Sequence, residues 1–393
     1  MEKMVCDLMA GLATRGVESV VFCTDAEGEL YEAVPVAAKA CGHRTPGLFV
    51  IDWRLLFKMI RFVKAERVVL LHAHNHAPNL YGVLVSLVTG IPVVVTRHGQ
   101  GYKTCRWKLL TRLLALRARQ IVLVSEDARR VAVANHSVSV KKAMVIPNGV
   151  DTERYGPKNP ESSIQNPELI ASTTLLRTRL GIPSDALVIG SVGRLSPEKN
   201  YPLLVRAFGR MVNRYPLLFN GGGADSVSRS LHSTHKKEPI TNNAASGGFL
   251  LFVGDGPDRK RIEAEIARSN LKAHCHITGM QSEVRRWLRL MDVFCLSSDT
   301  EGLSISLLEA AACGLPSVVT DAGGNREVVR DGVSGVVVPV RDEMALVGAL
   351  ERLIHDAALR HDMGAAARRI VEERFSLKAM VDGYVQVYEK AAK

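Results

Sequence analysis

No stretch of this 393-residue sequence is apolar for long enough to cross a bilayer, so a membrane-spanning helix is not expected within it. The seven cysteines include no CxxC pair, and most sit in apolar contexts such as VFCTD and VFCLS. A disulfide framework is therefore disfavoured, and reduced, buried thiols of a cytosolic protein are expected. No secretory signal is evident, since the opening MEKMVCDLMAGLATRG reads as an amphipathic helix. Zinc-ligand spacing, an RNP-type aromatic set and a helix-turn-helix pattern are also missing. Nucleic acid is thus not expected as the anionic partner that a net charge of +11 invites.

What the sequence does contain is ordinary for a globular protein: 47% hydrophobic and 23% charged residues, over a length that allows two separate cores. Apolar strand-length runs alternate with helical stretches. VESVVFCT, WRLLFKMIRFVK, VVLLHAH, NLYGVLVSLV, PVVVTRHG, IVLVSE and MVIPNG follow one another in the first half. ALVIGSVG, LLFVGDG, VFCLSS, PSVVTD and GVVVPV repeat the pattern in the second. Such alternation predicts two parallel sheets, each covered on both faces. The polar stretch 157–178, with Pro157, Pro160 and Pro167, reads as a linker between a domain at 1–156 and one at 179–375. A stretch at 218–248, rich in Gly, Ser, Asn and Thr, reads as a disordered surface insert, and 376–393 as a terminal helix.

The most informative segment is SDTEGLSISLLE, residues 298–309. It follows an apolar strand and leads into a helix, so Glu301 and Glu309 flank a strand-to-helix turn at the carboxyl edge of a parallel sheet, where open α/β folds bind ligands. Gly302 allows close backbone approach, and the free N–H groups of the following helix suit a phosphate. Glu309, two turns into the helix, can accept hydrogen bonds from sugar or ribose hydroxyls. A second loop, SVGRLSPEKN, places Arg194 and Lys199 after the strand ALVIG; a planar fork with a point charge is what a pyrophosphate needs. Glycine-bearing turns at Gly254 and Gly256, and at Gly323 and Gly324, mark two further strand ends.

GRLSPEKN, VGDGP, ITGM, EGLSISLLEA, GLPSVVTDAGGNREVV and NREVVRDGVSGVVVP, in that order, resemble the donor-binding half of the retaining glycosyltransferases of the GT-B fold, family 4. LHAHNHAPNLYGVLVSLVTGIPVVVTRHG and VSEDARR…VIPNGVDTERY extend the resemblance into the first half. It implies two Rossmann-like parallel-sheet domains facing a cleft, with the terminal helix crossing back onto the first. It also implies metal-independent transfer, without cofactor, from a nucleotide-diphosphate sugar to a glycan or lipid-linked hydroxyl acceptor. Polysaccharide, lipopolysaccharide or glycolipid biosynthesis is the expected setting. Arg194 and Lys199 would neutralise the departing diphosphate, and Glu301 would hold the sugar. The amides of Gly302, Leu303 and Ser304 would meet phosphate, Glu309 the ribose, and Gly254 and the backbone at Met280 the rest of the donor. Family members open with a strand and a Gly-Gly loop ahead of the helix that begins here at Glu2. The first domain should therefore lack a central strand, and a start upstream of Met1 is the favoured explanation.

His98 ends the strand PVVVT; a lone histidine there is usually structural, yet its position matches the family's cleft histidine, and both readings stay open. A metal triad of His72, His74 and His76 is set aside, because the strand is expected to end near Leu71 and no carboxylate or cysteine nearby adds a ligand. A polar cleft wall is the preferred reading of these three. The basic run from Lys103 to Arg119, with interleaved leucines and Trp107, could lie on the anionic inner face of a membrane. A domain helix packing those leucines inward weighs slightly more. A nucleotide-sugar epimerase and a non-catalytic sugar-nucleotide-binding subunit are the alternatives to a transferase.

Overall fold

The computed structural model describes residues 2–25, 39–42, 51–99, 114–156, 167–215 and 247–393, together with 31, 34 and 112. The predicted insert therefore lies outside the described residues up to 246, as does most of the basic run after His98. The chain forms two compact units. One comprises Met1–Asp151, Glu301–Ile305 and Arg374–Lys393; the other comprises Thr152–Thr300 and Ser306–Glu373.

In the first unit, α1 (Glu2–Ala13), β1 (Val21–Cys23), β2 (Lys39–Cys41), α2 (Trp53–Ala65), β3 (Leu71–His74) and α3 (His76–Thr89) come in turn. They are followed by β4 (Val93–Arg97), β5 (Gln120–Leu123), α4 (Glu126–Ala134) and β6 (Ala143–Val145). Strands β4 and β5 are buried throughout, and their alternation sorts the core. Val93, Val95, Ile121 and Leu123 pack toward Ala128 and Ala132 of α4. Val94 and Val122 face the other way, toward Met4, Leu8 and Leu12 of α1 and Met380, Val381 and Tyr384 of the terminal helix. That helix, α13 (Leu377–Ala392), starts where the Ser376 hydroxyl accepts from Ala379 N at 3.2 Å. The preceding residues hydrogen-bond to both sides of Val150, through Val150 N to Phe375 O and Leu377 N to Val150 O, each at 2.9 Å.

The first sheet is divided. β3–β4–β5–β6 form a four-stranded parallel sheet, and β1–β2 a separate parallel pair. Phe22 of β1 and Leu71 of β3 pack against one helical cluster, that of Leu55, Met59 and Tyr81, yet no ladder joins the two strands. β1 and the edge strand β3 are mostly half-buried, whereas β4 is fully enclosed. Among the described residues, the β1–β2 pair is tied to β3 by side-chain packing and not by backbone pairing.

The second unit holds α5 (Pro167–Arg179), β7 (Leu187–Val192), α6 (Tyr201–Arg214), β8 (Gly248–Val253), α7 (Arg259–Arg268), β9 (Cys275–Ile277) and α8 (Val284–Leu288). It continues through β10 (Val293–Leu296), α9 (Ile305–Ala312), β11 (Ser317–Thr320), α10 (Asn325–Val328), β12 (Gly335–Val338), α11 (Glu343–His355) and α12 (Ala357–Arg374). Its six-stranded parallel sheet runs β12–β11–β10–β7–β8–β9, with Leu187 opposite Gly248 and Val192 opposite Val253. β7 and β8 carry apolar runs because helices cover both faces; Leu203, Leu204, Phe208 and Leu350 are sealed beneath them. Each such side chain contributes roughly 1.5–3 kcal/mol on burial.

Two expectations need correction. The stretch read as a linker is helical from Pro167, because proline at the first position of a helix forfeits a donor that has no partner there anyway. And the strand expected to end near Leu71 begins there: Leu71–His74 is β3, and alternation holds through His72 and His74.

Candidate active site

The sheet order of the second unit fixes where its chemistry can lie. From β7 the chain winds outward through β8 and β9, then returns to lay β10 on the other flank of β7. The winding reverses between β7 and β10, and in open parallel sheets a ligand crevice opens at the carboxyl ends of that pair. The loop after β7 carries Arg194 and Lys199; the loop after β10 carries Asp299 and leads to Glu301. The segments singled out from sequence thus sit on neighbouring strands.

These loops are laced together. The Ser297 hydroxyl donates to the carbonyls of Lys199 and Asn200 at 3.0 and 3.1 Å. Asp299 N donates to Glu198 O at 2.8 Å, and Asn200 Nδ2 to Asp299 Oδ1 at 2.9 Å. Arg341 takes the other Asp299 oxygen, with Nη2 at 2.7 Å. Both oxygens of Asp299 are committed to holding loops, which accounts for its carboxylate structurally. Among the described residues no three His, Cys, Asp or Glu side chains are gathered as metal ligands. Arg194 is exposed and Lys199 half-buried at the rim of this assembly.

The next turn packs from the β8 side. Gly254 has φ +143, and a Cβ there would lie 2.0 Å from Gly193 O, so only glycine lets the two turns touch. Leu195 N donates to Asp255 O, and Asp258 N to Leu195 O, both at 2.9 Å. Gly254 also bridges Gly279, which brings the loop of the exposed Met280 alongside.

Glu309 lies on α9, only 3% exposed. Its Oε1 accepts from the Tyr155 hydroxyl at 2.9 Å. Burial, reinforced by the adjacent carboxylate, pushes the Tyr155 phenol far above its ordinary pKa. Arg368 secures this corner, donating to the carbonyls of Tyr155 and Ala312, the latter at the C-terminal end of α9 where a cation is favoured. Sequence reasoning missed Tyr155 and Arg368. Tyr155 was visible within VIPNGVDTERY but had no local signal of a partner 154 residues away.

The first unit gathers the remaining candidates. Glu301 and Gly302 are half-buried, Leu303 and Ser304 buried. Asn148 Nδ2 donates to Leu303 O at 3.0 Å, and a Cβ on Gly302 would fall 1.9 Å from His98 O. The segment is therefore fitted backbone-to-backbone against the end of β4. His98 Nε2 lies 3.1 Å from His74 Nδ1. His72 packs against His74 with the rings tilted by 44° and centroids 4.0 Å apart, and its nitrogens reach Tyr388 Oη at 2.6 Å and Thr96 Oγ1 at 2.7 Å. Burial drives the His72 imidazole down to about 3 and His98 to about 4, and holds His74 well below its ordinary range. All three are neutral near pH 7.

This fold and these loops define a glycosyltransferase of GT-B architecture. The structure is similar to that of HepE from Anabaena in complex with UDP and glucose, with a TM-score of 0.78 and 18% identity, covering 99% of this chain and 95% of that one. Residues 172–370 match the family described as glycosyl transferases group 1, and residues 1–154 match glycosyltransferase family 4. The chain belongs to the glycosyl transferases group 1 family. It is 25% identical over 346 residues to the UDP-Gal:alpha-D-GlcNAc-diphosphoundecaprenol alpha-1,3-galactosyltransferase of Escherichia coli, covering 86% of this chain and 79% of that protein. It is 26% identical over 211 residues to the lipopolysaccharide core biosynthesis glycosyltransferase LpsE of Rhizobium meliloti, spanning about half of each, 54% and 52%. No helix among the described residues is long and apolar enough to cross a membrane.

Proposed function

We propose that this chain transfers a sugar from a nucleoside-diphosphate donor, a UDP-sugar in the first instance, to a hydroxyl of a glycan or lipid-linked acceptor. Transfer would proceed with retention and without a metal, in the assembly of a cell-surface polysaccharide or lipopolysaccharide. The observation that carries this reading is the pairing of β7 and β10 at the reversal of the sheet. It sets Arg194 and Lys199 at the ligand-binding edge, on a loop fixed by Ser297 and Asp299. The UDP bound in HepE and the UDP-Gal of the Escherichia coli relative support a UDP-sugar in this reading.

In this reading Arg194 and Lys199 neutralise the charge that grows on the departing diphosphate, as preorganised cations do best. Glu301 holds sugar hydroxyls, His98 meets the transferred sugar as a neutral donor or acceptor, and Glu309 takes the ribose. The Gly302–Ser304 amides cap phosphate oxygens, while Gly254 and the Met280 backbone border the nucleotide. As the family resemblance implies, the leaving phosphate takes the acceptor proton on the face it departs from.

Lys199→Ala tests the assignment. Turnover at saturating UDP-sugar should fall roughly a hundredfold or more, the scale for losing one preorganised donor, with little change in melting temperature. Near-normal turnover would remove Lys199 from the mechanism. A non-catalytic sugar-nucleotide-binding subunit is the competing reading, favoured by the divided first sheet; transfer by the purified wild-type chain eliminates it.

A further inference from the structure

Helix α2 has two unlike halves. Leu55, Leu56, Met59, Ile60 and Val63 are buried against Tyr81 and Val85, so the helix is firmly seated. The opposite side carries Trp53, Arg54, Phe57, Lys58, Arg61 and Lys64, all exposed. At 100° per residue these six fall within an arc of about 140°. Trp53 and Phe57 are 58% and 63% exposed, one helical turn apart, and no acidic side chain lies between Trp53 and Ala65. Sequence patterning left this unremarked, because a tryptophan and a phenylalanine in an amphipathic helix read as core until their exposure is known.

We propose that the outer face of α2 docks on an anionic phospholipid bilayer. Aromatic side chains prefer the boundary between acyl chains and headgroups, and cations beside them add attraction to anionic lipid. The four cations form one stripe along the whole helix rather than a pocket, a distribution matched to a flat, diffuse negative surface. An acidic protein partner would be served as well by the charges, but it would not need two aromatics in the same arc. Lys58 is braced by donating to Cys41 O at 2.5 Å, which holds that part of the stripe in place.

The placement has a use. α2 follows β2 and precedes β3 in a parallel fold, so its N-terminal end, with Trp53 and Phe57, lies toward the carboxyl edge of the strands. His98 follows β4 at that same edge. Docking through α2 would keep this edge at the lipid surface, where the carrier of a lipid-linked acceptor resides. That benefit rests on the proposed function; the docking itself does not.

The test is sedimentation of the purified chain with phosphatidylcholine vesicles lacking or containing phosphatidylglycerol, without donor or acceptor. Binding should require phosphatidylglycerol and weaken with salt. The pair Arg54→Gln, Arg61→Gln should lower the vesicle partition coefficient by roughly thirtyfold, at about tenfold per 1.4 kcal/mol and about 1 kcal/mol per cation. Trp53→Ala with Phe57→Ala should abolish retention at moderate salt. Because all four side chains are exposed, melting temperatures should hold within a few degrees, and UDP-sugar hydrolysis should be unchanged. Equal binding to neutral vesicles, or wild-type binding by either variant, overturns the proposal. So does self-association, or capture of an acidic protein, by a chain that ignores the vesicles. Loss of vesicle binding with intact hydrolysis, or the reverse, tells its fate apart from that of the proposed activity.

Discussion

Replacing Tyr155 by phenylalanine should expose how strongly the second unit depends on one buried pair. The substitution removes a single oxygen and keeps the ring, so packing around Tyr155 is undisturbed. Glu309 Oε1 then loses a donor held at 2.9 Å while the carboxylate remains 3% exposed. A hydrogen bond to a charged group is worth roughly 1.5–3 kcal/mol when its partner is left buried. For a domain of 150–250 residues each kcal/mol shifts the midpoint by about 2–4 °C, so a fall of about 3–12 °C is expected in the second unit. Thermal unfolding followed by tryptophan fluorescence, to which the buried Trp287 of that unit contributes, reports it. A cycle with Glu309→Gln isolates the pair, and a coupling of about 1 kcal/mol or more should appear. UDP binding should weaken in step, because the hydroxyl also fixes which way the carboxylate points. A coupling below about 0.5 kcal/mol refutes the energetic account. Destabilisation with unchanged UDP affinity refutes the orienting role of Tyr155 instead.

Gly302→Ala would place a methyl 1.9 Å from His98 O, a backbone atom that cannot swing aside. The first unit should lose about 1–3 kcal/mol, and transfer should fall roughly a hundredfold as the segment is displaced; wild-type values in both assays would show that the contact does not constrain the loop. Lowering the pH probes the histidine group. His72 titrates at about 3 when folded against an ordinary 6.5, so below about pH 6.5 the unfolded chain binds more protons than the folded one. Stability should therefore be full above that pH and be lost progressively as pH falls toward 3, and His72→Gln should flatten the profile in chemical-denaturation measurements.

The strands and the loops at their carboxyl edge were legible in the sequence because their signals are local. Apolar runs ending in glycine turns announce β7, β8 and β10, and the residue types in GRLSPEKN and TEGLSISLLE name an anion and hydroxyls. What stayed hidden depends on distance. Nothing near Asp299 in the sequence told that its two oxygens would be taken by Asn200 and Arg341. His72 and His74 looked like loop residues because polar side chains obscure a short strand, and only pairing with Val94 and Thr96 of β4 shows the ladder. Pro167 read as punctuation, although its place at the head of a helix was equally allowed by its chemistry. Asn148, within VIPNG, carried no hint that it would grip Leu303, 155 residues on.

The division of the first sheet has a consequence for how that unit breathes. Among the described residues β1 and β2 share a ladder with each other alone, and a two-stranded ribbon is barely stable by itself. Their attachment runs through side chains: Phe22 meets Phe62 edge-on at 5.5 Å, and Lys58 reaches the Cys41 carbonyl. Side-chain packing can let go without unzipping β3–β6, so the amides of residues 21–23 and 39–41 can trade their hydrogens with solvent through a small local opening. Those of β4 and β5, enclosed on both faces, can do so only when the whole unit opens. The protein thus carries two tiers of cooperativity inside one domain, with the seam between β1 and β3 as the boundary.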